Sequence, residues 1–234
     1  MPLALNGGDS LGSPTCVDQC EVSLNLMREP IDPHPGRGTV FVVDDEPDIR
    51  RSIEMLVGSL GLAVKAFSTA KDFLQKHDPR EPGCLILDVC MPGMSGLELQ
   101  KALGAQGGCP PIIFISGHGD VPLAAEALRA GAVDFIQKPF AAEALLGRVR
   151  EAIALDRERR RKQALAGDAA QRVATLTDRE REIMQLLAAG DTTKQIAQGL
   201  SISPKTVDHH RAKVLEKMNV DNPTQLARLL ALLE

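Results

Sequence analysis

The chain has 234 residues, of which 44% are hydrophobic and 25% charged, and its formal net charge is −4 at pH 7. No apolar stretch reaches the roughly 20 residues that a membrane helix requires, and the first ten residues lack the basic and apolar regions of a secretory signal. We therefore expect a cytoplasmic protein of one or two domains that does not contact the membrane, without a disulfide framework because its five cysteines are odd in number.

Residues 1–37 are rich in Gly, Pro, Ser and Asp, a composition typical of a disordered N-terminal arm. Cys16 and Cys20 lie in this arm with the spacing C-x3-C. A redox pair or half of a metal site would have this spacing, but no second pair follows it. We therefore expect these two cysteines to be free thiols.

Between residues 38 and 155, short apolar runs alternate with helical patterns. Gly61 is expected to end the first helix, and Ser68 and Ser95 are expected to cap the second and third. Such alternation predicts an α/β fold, a doubly wound five-stranded parallel sheet with helices on both faces. The predicted strands span 39–43, 62–66, 84–88, 111–115 and 133–136, and the predicted helices span about 46–59, 69–77, 96–105, 121–130 and from 141 onward.

The strand signal disappears after this segment. A charged run at residues 156–162 is expected to be a solvated extension of the preceding helix rather than a nucleic-acid patch, and residues 164–174 are expected to be a linker, so that 156–174 is a helical, charged connection. Residues 175–234 predict an all-α domain with helices at about 178–189, 192–199, 204–218 and 222–233. Gly190 is expected to end the first of these, and Ser203 and Asn222 are expected to cap the last two.

Polar side chains follow the predicted strands at their carboxyl ends. Because these ends meet at one edge of a parallel sheet, where such folds bind ligands, we expect a site for a divalent cation and a phosphoryl group on Asp88. Taken singly, each residue has an ordinary explanation, such as a helix cap, a turn or a solvated lysine. Their coincidence favours a functional site, which would contain Asp44, Asp45, Asp88, Ser116 and Lys138.

The motifs VVDDE, LILDVCMPGMSG, ISGHGD and DFIQKPF occur in this order between residues 38 and 155, and this segment resembles a flavodoxin-like response-regulator receiver domain. The resemblance implies that Asp88 accepts a phosphoryl group, that Lys138 contacts its oxygens and that Ser116 supplies a switch hydroxyl. It implies a Mg²⁺ site formed by Asp44, Asp45, Asp88 and the backbone carbonyl of Cys90. Phe135 matches a switch aromatic but is equally explained as a core residue, and the Lys138–Pro139 peptide is expected to be cis.

The chemistry of this group accounts for its residue types. The carboxylates near Asp88 raise its pKa by like-charge repulsion, yet Asp88 must be ionised to attack phosphorus. Mg²⁺ and Lys138 would offset this repulsion, and Mg²⁺ prefers oxygen ligands.

The helix predicted from Pro204 has an apolar stripe and a polar face. Val207, Val214 and Met218 form the stripe, with His210 expected as a packed structural residue beside it. A solvated helix face would explain the polar side equally well without further motifs. The motifs LTDREREIM, TTKQIAQGLSIS and PKTVDHHRAKVLEKM, however, resemble a LuxR-type helix-turn-helix, in which this helix enters the major groove. The implied DNA contacts are Thr192, Thr193, Lys194, Lys205, Thr206, Asp208, His209, Arg211, Ala212, Lys213 and Lys217.

The two resemblances together identify the chain as a member of the NarL/FixJ class of two-component response regulators, closest to its FixJ-like branch. They imply phosphorylation by a sensor histidine kinase, homodimerisation on phosphorylation, binding to double-stranded promoter DNA and contact with RNA polymerase. One rival is a metal-dependent phosphohydrolase, but those enzymes carry D-x-D, whereas Asp88 is followed by Val89 and Cys90. We therefore expect that the chain is not an enzyme. A constitutive DNA binder with a vestigial receiver is the second rival, and the intact acidic residues argue against it.

Overall fold

The computed structural model describes residues 38–105, 109–117 and 121–233. The N-terminal arm, with Cys16 and Cys20, lies outside the described residues, so the expectations for it are untested. Within the described ranges, no helix is both long enough and apolar enough to cross a membrane.

A five-stranded parallel sheet forms the centre of the first domain, with the strand order β2-β1-β3-β4-β5. This order confirms the predicted doubly wound fold. In register, Val43 pairs with Leu87 and Leu87 with Phe114, so β1, β3 and β4 end at the same edge. The strands are β1 Thr39–Val43, β2 Ala63–Phe67, β3 Gly83–Asp88, β4 Ile112–Ser116 and β5 Asp134–Gln137.

Helices connect and follow the strands close to the predicted positions. Those of the first domain are α1 Pro47–Gly58, α2 Ala70–Lys76, α3 Gly96–Ala105, α4 Val121–Arg129 and the start of α5 Ala142–Ala174. Those of the second domain are α6 Asp178–Ala188, α7 Thr193–Gly199, α8 Pro204–Met218 and α9 Pro223–Leu230.

Each face of the sheet has its own hydrophobic core, because successive strand residues point to opposite faces. Phe41 packs with Phe73 of α2 and Leu99 of α3 on one face, whereas Val42 packs with Ile53 of α1 and Val149 of α5 on the other. All residues of β1, β3 and β4 are buried, as expected for central strands covered on both sides. A third core holds α6 to α9 together.

The helix caps agree with the sequence except at α2. The hydroxyl of Thr69, not that of Ser68, accepts the backbone N–H of Asp72 at 3.1 Å. Burial of Ala70 and Phe73 fixes where the first turn of α2 begins, and this start places Thr69 at the cap. The expected caps at Ser95, Ser203 and Asn222 are present, and Gly61 and Gly190 adopt positive φ angles after the helices that precede them.

Helix α5 continues without a break from residue 142 to residue 174. Residues 164–174, expected to be a linker after the helix, are therefore part of it. The expectation that residues 156–162 form a solvated extension is wrong for three side chains, because Asp156 is buried and Arg159 and Arg160 bond to the first domain. The buried stripe of α5 extends one turn further than its apolar residues indicate.

Candidate functional site

The carboxyl edge of the sheet brings the predicted acidic and basic residues together. The Lys138 Nζ atom lies 2.8 Å from Oδ2 of Asp44 and 3.2 Å from Oδ1 of Asp88. It also lies 3.2 Å from a carboxylate oxygen of Glu46, a residue that was not predicted to be in the site. The Asp44 and Asp88 residues are only 0% and 4% exposed, so two buried carboxylates share one ammonium group.

Backbone hydrogen bonds orient these side chains. The N–H of Cys90 donates to Oδ2 of Asp88 at 3.2 Å, and the N–H of Glu46 donates to Oδ1 of Asp44 at 2.8 Å. The N–H of Lys138 donates to the carbonyl of Ser116 at 2.7 Å, which joins the ends of β4 and β5. The Lys138–Pro139 peptide is cis, as expected.

Burial and nearby charges shift two pKa values in this cluster. Burial raises the pKa of Asp88, the charge and hydrogen bond of Lys138 oppose that rise, and the charges of Asp44 and Asp45 add to it. Burial alone would lower the pKa of Lys138, but its hydrogen bond to Asp44 and the charges of both carboxylates raise it overall. Lys138 therefore stays cationic, whereas Asp88 is harder to ionise than an ordinary aspartate.

The donor atoms here suit Mg²⁺. Asp45 is exposed beside the buried pair Asp44 and Asp88, and exposed Cys90 lies two residues after Asp88. The ligands predicted for the metal are the three carboxylates and the backbone carbonyl of Cys90. These are hard oxygen ligands, the type that Mg²⁺ prefers. Within the part of the chain that the structure describes, no three His, Cys, Asp or Glu side chains are arranged as a metal site, and Lys138 contacts the two buried carboxylates.

Two further residues of the predicted site lie close to this edge. Ser116 is buried at the end of β4, with 2% exposure, opposite Gln137 of β5. The ring of Phe135 stacks on that of Phe114, with centroids 6.5 Å apart, and packs on the core beneath the site. This contact is that of a core aromatic, and a switch role for Phe135 stays a prediction.

Helix α8 presents the polar face that the sequence predicts. Val207, Val214 and Met218 are fully buried on the opposite side. His210 is half-buried, as expected for a packed histidine, and Arg211 is also half-buried at the margin of the stripe. The exposed residues of α8 include Lys205, Thr206, Asp208, His209, Ala212 and Lys213.

Lys217 is also exposed, but its ammonium group is paired within the domain. Its Nζ atom lies 2.6 Å from a carboxylate oxygen of Glu180, which is 3% exposed, and 3.4 Å from the carbonyl of Thr175. The hydrogen bond from Lys217, followed by one from the Thr177 backbone, lowers the pKa of Glu180 to about 2. The predicted contact of Lys217 with DNA stays a prediction, and its ammonium group is already paired with Glu180 within the domain.

The threonines predicted to approach DNA also make bonds within the domain. Thr192 caps α7 by exchanging hydrogen bonds with Gln195, and the hydroxyls of Thr206 and Ser203 lie 2.8 Å apart. Thr193 donates to Oδ1 of Asp208 at 3.2 Å, which joins the start of α7 to α8. This contact was not predicted, because nothing in the sequence spacing relates residues 193 and 208. Lys194 is exposed beside it.

Comparison with protein families assigns both halves of the chain. Residues 40–150 match the response regulator receiver domain, and residues 174–230 match the bacterial regulatory proteins of the luxR family.

Similar proteins share this arrangement over most of their length. The transcriptional regulatory protein FixJ of Azorhizobium caulinodans is 42% identical over 193 residues, covering 82% of this chain and 92% of FixJ. The response regulator protein TodT of Pseudomonas putida is 40% identical over 210 residues, covering 90% of both chains. The solved structure of the response regulator StyR is 40% identical, covers 84% of this chain and 99% of StyR, and superposes with a TM-score of 0.73.

Proposed function

The chain belongs to the family of response regulators that join a receiver domain to a LuxR-type DNA-binding domain, and from this premise we propose that Asp88 accepts its phosphoryl group. It is a DNA-binding transcriptional regulator of a two-component system. The observation that carries the proposal is the contact of Lys138 with both Asp44 and Asp88 at the carboxyl edge of the sheet.

In the proposed reaction, an oxygen of Asp88 attacks the phosphorus of a phosphohistidine on a sensor kinase. The new O–P bond forms as the P–N bond breaks, and the imidazole that leaves takes up a proton. Lys138 keeps Asp88 ionised and faces the charge that develops on the phosphoryl oxygens, so catalysis is mainly positioning and charge stabilisation. Mg²⁺ held by Asp44, Asp45, Asp88 and the carbonyl of Cys90 would supply further positive charge.

Phosphorylation would change the charges around Lys138 and Ser116. The acyl phosphate adds negative charge in a buried position, and these two side chains supply a cation and a hydroxyl at the same edge of the sheet. Shifting a two-state domain from 1:99 to 99:1 requires about 5.5 kcal/mol of differential stabilisation. New contacts from Lys138 and Ser116 would provide it, and Phe135 would relay the change as it packs below them.

Promoter binding is assigned to the exposed face of α8. In a helix-turn-helix the second helix enters the major groove, where Asp208, His209 and Ala212 would meet base edges and Lys205 and Lys213 would meet phosphates. One such module buries only about 600–1,000 Å² of protein surface on DNA. Dimers on paired half-sites are therefore expected, and phosphorylation would promote the receiver dimer. A chain bound at a promoter would contact RNA polymerase. Because bacterial chromosomal DNA lies in the cytoplasm, a cytoplasmic location is expected.

We expect no catalytic turnover of other substrates. Phosphohydrolases with an aspartate nucleophile use a second acid two residues later, and Cys90 occupies that position here. A steady-state assay with p-nitrophenyl phosphate and Mg²⁺ should show no sustained release of phosphate. Continued turnover that Asp88→Asn abolishes would establish an enzyme instead.

The direct test of the proposed phosphorylation site is labelling with radioactive acetyl phosphate and Mg²⁺. The parent chain should take up one hydroxylamine-sensitive label, and Asp88→Asn should take up none while keeping its circular dichroism spectrum. Asp78→Asn is the matched control, since Asp78 pairs with Arg80 in the exposed loop before β3. Undiminished label in Asp88→Asn would contradict the assignment.

A further inference from the structure

A buried polar cluster fastens helix α5 to the receiver at the end of the sheet opposite the phosphorylation site. Asp156, which is 1% exposed, accepts the N–H of Gly83 at 3.0 Å and pairs with Arg159 and Arg160 at 2.9 and 2.6 Å. We call Asp156, Arg159 and Arg160 the receiver clasp. It begins where the apolar stripe of α5 ends, one turn after Ile153.

The receiver clasp holds α5 from several directions. Arg160 donates to three successive carbonyls, those of Pro79, Arg80 and Glu81, at 3.1, 2.9 and 2.9 Å. Arg159 donates to the carbonyl of Cys109, just before β4. Because Asp156, Arg159 and Arg160 all lie on α5, the bonds that restrain the helix are those to the N–H of Gly83 and to the carbonyls before β3 and β4. The helix cannot turn about its own axis without breaking these bonds.

The other end of α5 is fastened to the helix proposed to read DNA. Arg172 donates to the carbonyl of Met218, the last residue of α8, at 2.8 Å. An ion pair with Asp168 at 2.7 Å orients the Arg172 guanidinium. The last carbonyls of a helix lack partners within the helix and carry partial negative charge, so a guanidinium there is stabilising. Ala169 is buried and Val173 packs on the core of the second domain, so the last turns of α5 belong to that domain.

Residues 161–168 connect the two fastened ends, and we call them the bridge. Its side chains are exposed except for the half-buried Ala166. Within α5 the bridge is supported by local ion pairs, with Glu158 contacting Arg161 at 3.2 Å and Lys162 at 3.8 Å. A helix anchored at both ends needs no new nucleation, so these eight residues can stay helical although eight isolated residues would not.

From these contacts we propose that α5 is a torsionally rigid coupling helix, through which the receiver fixes the orientation of α8. The receiver clasp fixes the rotation of α5 about its axis at one end. At the other end, the bond from Arg172 fixes the carboxyl end of α8 relative to α5. Phosphorylation would then change DNA affinity by presenting two α8 helices in a defined relative orientation. This inference rests on the proposed dimeric, phosphorylation-dependent DNA binding.

Insertions in the bridge of the full chain test this coupling. One alanine after Leu165 rotates everything beyond it by about 100°, whereas seven helix-forming residues return within about 20° of the original phase while lengthening the helix by about 10 Å. The DNA is a duplex selected from a random pool by the phosphorylated parent chain. The measured quantity is the ratio of DNA affinities with and without acetyl phosphate and Mg²⁺.

We expect the one-residue insertion to reduce this ratio at least tenfold and the seven-residue insertion to retain at least half of it. If both insertions retain the affinity ratio equally, α5 acts as a flexible tether and the inference is overturned. An equal loss of the ratio in both would also overturn it. A parent chain whose affinity does not rise with phosphorylation would instead refute the proposed function, which keeps the two failures distinct.

Substitutions at Gly167 and Arg160 test rigidity without a change of length. A Cβ at Gly167 meets no atom within 4 Å, so Gly167→Ala should fold normally and keep or increase the ratio. Gly167→Pro should reduce the ratio at least tenfold, because proline removes a helical hydrogen bond and clashes with the preceding turn. Arg160→Met should also reduce it while phosphorylation by acetyl phosphate proceeds at the parental rate. Parental ratios in Gly167→Pro and Arg160→Met would show that coupling does not pass through α5.

Discussion

Lys138 and Asp44 form a 2.8 Å ion pair at the carboxyl edge of the sheet, in which their side chains are 12% and 0% exposed. The same ammonium group lies 3.2 Å from Asp88. Before phosphorylation, therefore, the cation is shared between a carboxylate that would bind metal and the carboxylate that would attack phosphorus. Any group that draws Lys138 toward Asp88 must compete with Asp44 for it.

Lys138→Met should slow phosphorylation of Asp88 and shift its pH dependence. The pKa of Asp88 is already raised by burial, and Lys138 is the main group that opposes the rise. Without it the pKa rises further, so a smaller fraction of Asp88 is ionised near neutral pH. We expect the initial rate of labelling by acetyl phosphate to fall, and to fall most at low pH, where the ionised fraction of Asp88 is smallest.

The rising limb of the pH–rate profile should move to higher pH in Lys138→Met, because the rate follows the ionised form of Asp88. Lys65→Met is a suitable control, since Lys65 makes an exposed pair with Glu81 away from the site. A variant with a lower rate but an unshifted profile would show that Lys138 acts only on the phosphoryl group.

Lys217→Met should destabilise the second domain at neutral pH but not in strong acid. The Lys217 bond holds the pKa of Glu180 at about 2, below its ordinary value of 4.5. A carboxyl group whose folded pKa is lowered adds stability above its unfolded pKa, and that stability is lost as pH falls through the folded pKa.

The difference in Tm between parent and Lys217→Met should therefore be largest above about pH 5, at about 2–4 °C, and should vanish as pH approaches 2. Thermal denaturation followed by circular dichroism between pH 2 and pH 7 measures it. Lys213→Met, which changes an exposed lysine of the same helix, should follow the parent curve. A pH-independent difference would mean that Lys217 stabilises by packing rather than by its bond to Glu180.

The strand ends could be predicted from sequence because parallel strands bring their carboxyl ends to one edge whatever lies between them. Alternation and position alone thus grouped Asp44, Asp88 and Lys138 correctly in space. The pairing of Lys217 with Glu180 could not be predicted in this way, because it depends on how α6 and α8 cross. The burial of Asp156 had no signal either, since a charged residue at the end of an apolar stripe is usually solvated.

Single substitutions on α8 should separate residues that read sequence from those that set affinity. Asp208→Ala and His209→Ala should each cost about 1–3 kcal/mol on the selected duplex and relax preference at one or two base pairs. An aspartate in the groove is repelled by phosphates unless it accepts a hydrogen bond, and the amine of cytosine is a suitable donor. Selection from random duplexes at fixed salt measures these preferences.

Loss of preference in Asp208→Ala needs one further control, because Asp208 also accepts a hydrogen bond from Thr193. Thr193→Val breaks that bond while keeping the carboxylate. Unchanged preference in Thr193→Val together with relaxed preference in Asp208→Ala would assign the effect to base contact. The opposite pattern would make Asp208 a residue that holds α7 and α8 together.

The lysines should differ in the salt dependence of DNA binding. Lys205→Ala and Lys213→Ala should each lower the slope of log affinity against log salt by about 0.9, the value for one phosphate contact. Lys217→Ala should leave this slope unchanged, because the ammonium group of Lys217 is already paired with Glu180. A reduced slope in Lys217→Ala would confirm that Lys217 contacts DNA.

A fragment without the receiver should bind the selected duplex independently of phosphorylation, provided that it keeps the last turns of α5. Residues 163–234 retain Ala169, which is buried, and Arg172, whose guanidinium bonds to the end of α8, whereas residues 173–234 lose both. The shorter fragment should therefore have a lower Tm and weaker binding than the longer one.

Fluorescence anisotropy with the duplex, with and without acetyl phosphate, compares each fragment with the full chain. If residues 163–234 bind more tightly than the unphosphorylated full chain, the receiver restrains the DNA-binding domain until Asp88 is phosphorylated. If they bind no better, the receiver acts by joining two chains and does not restrain the DNA-binding domain.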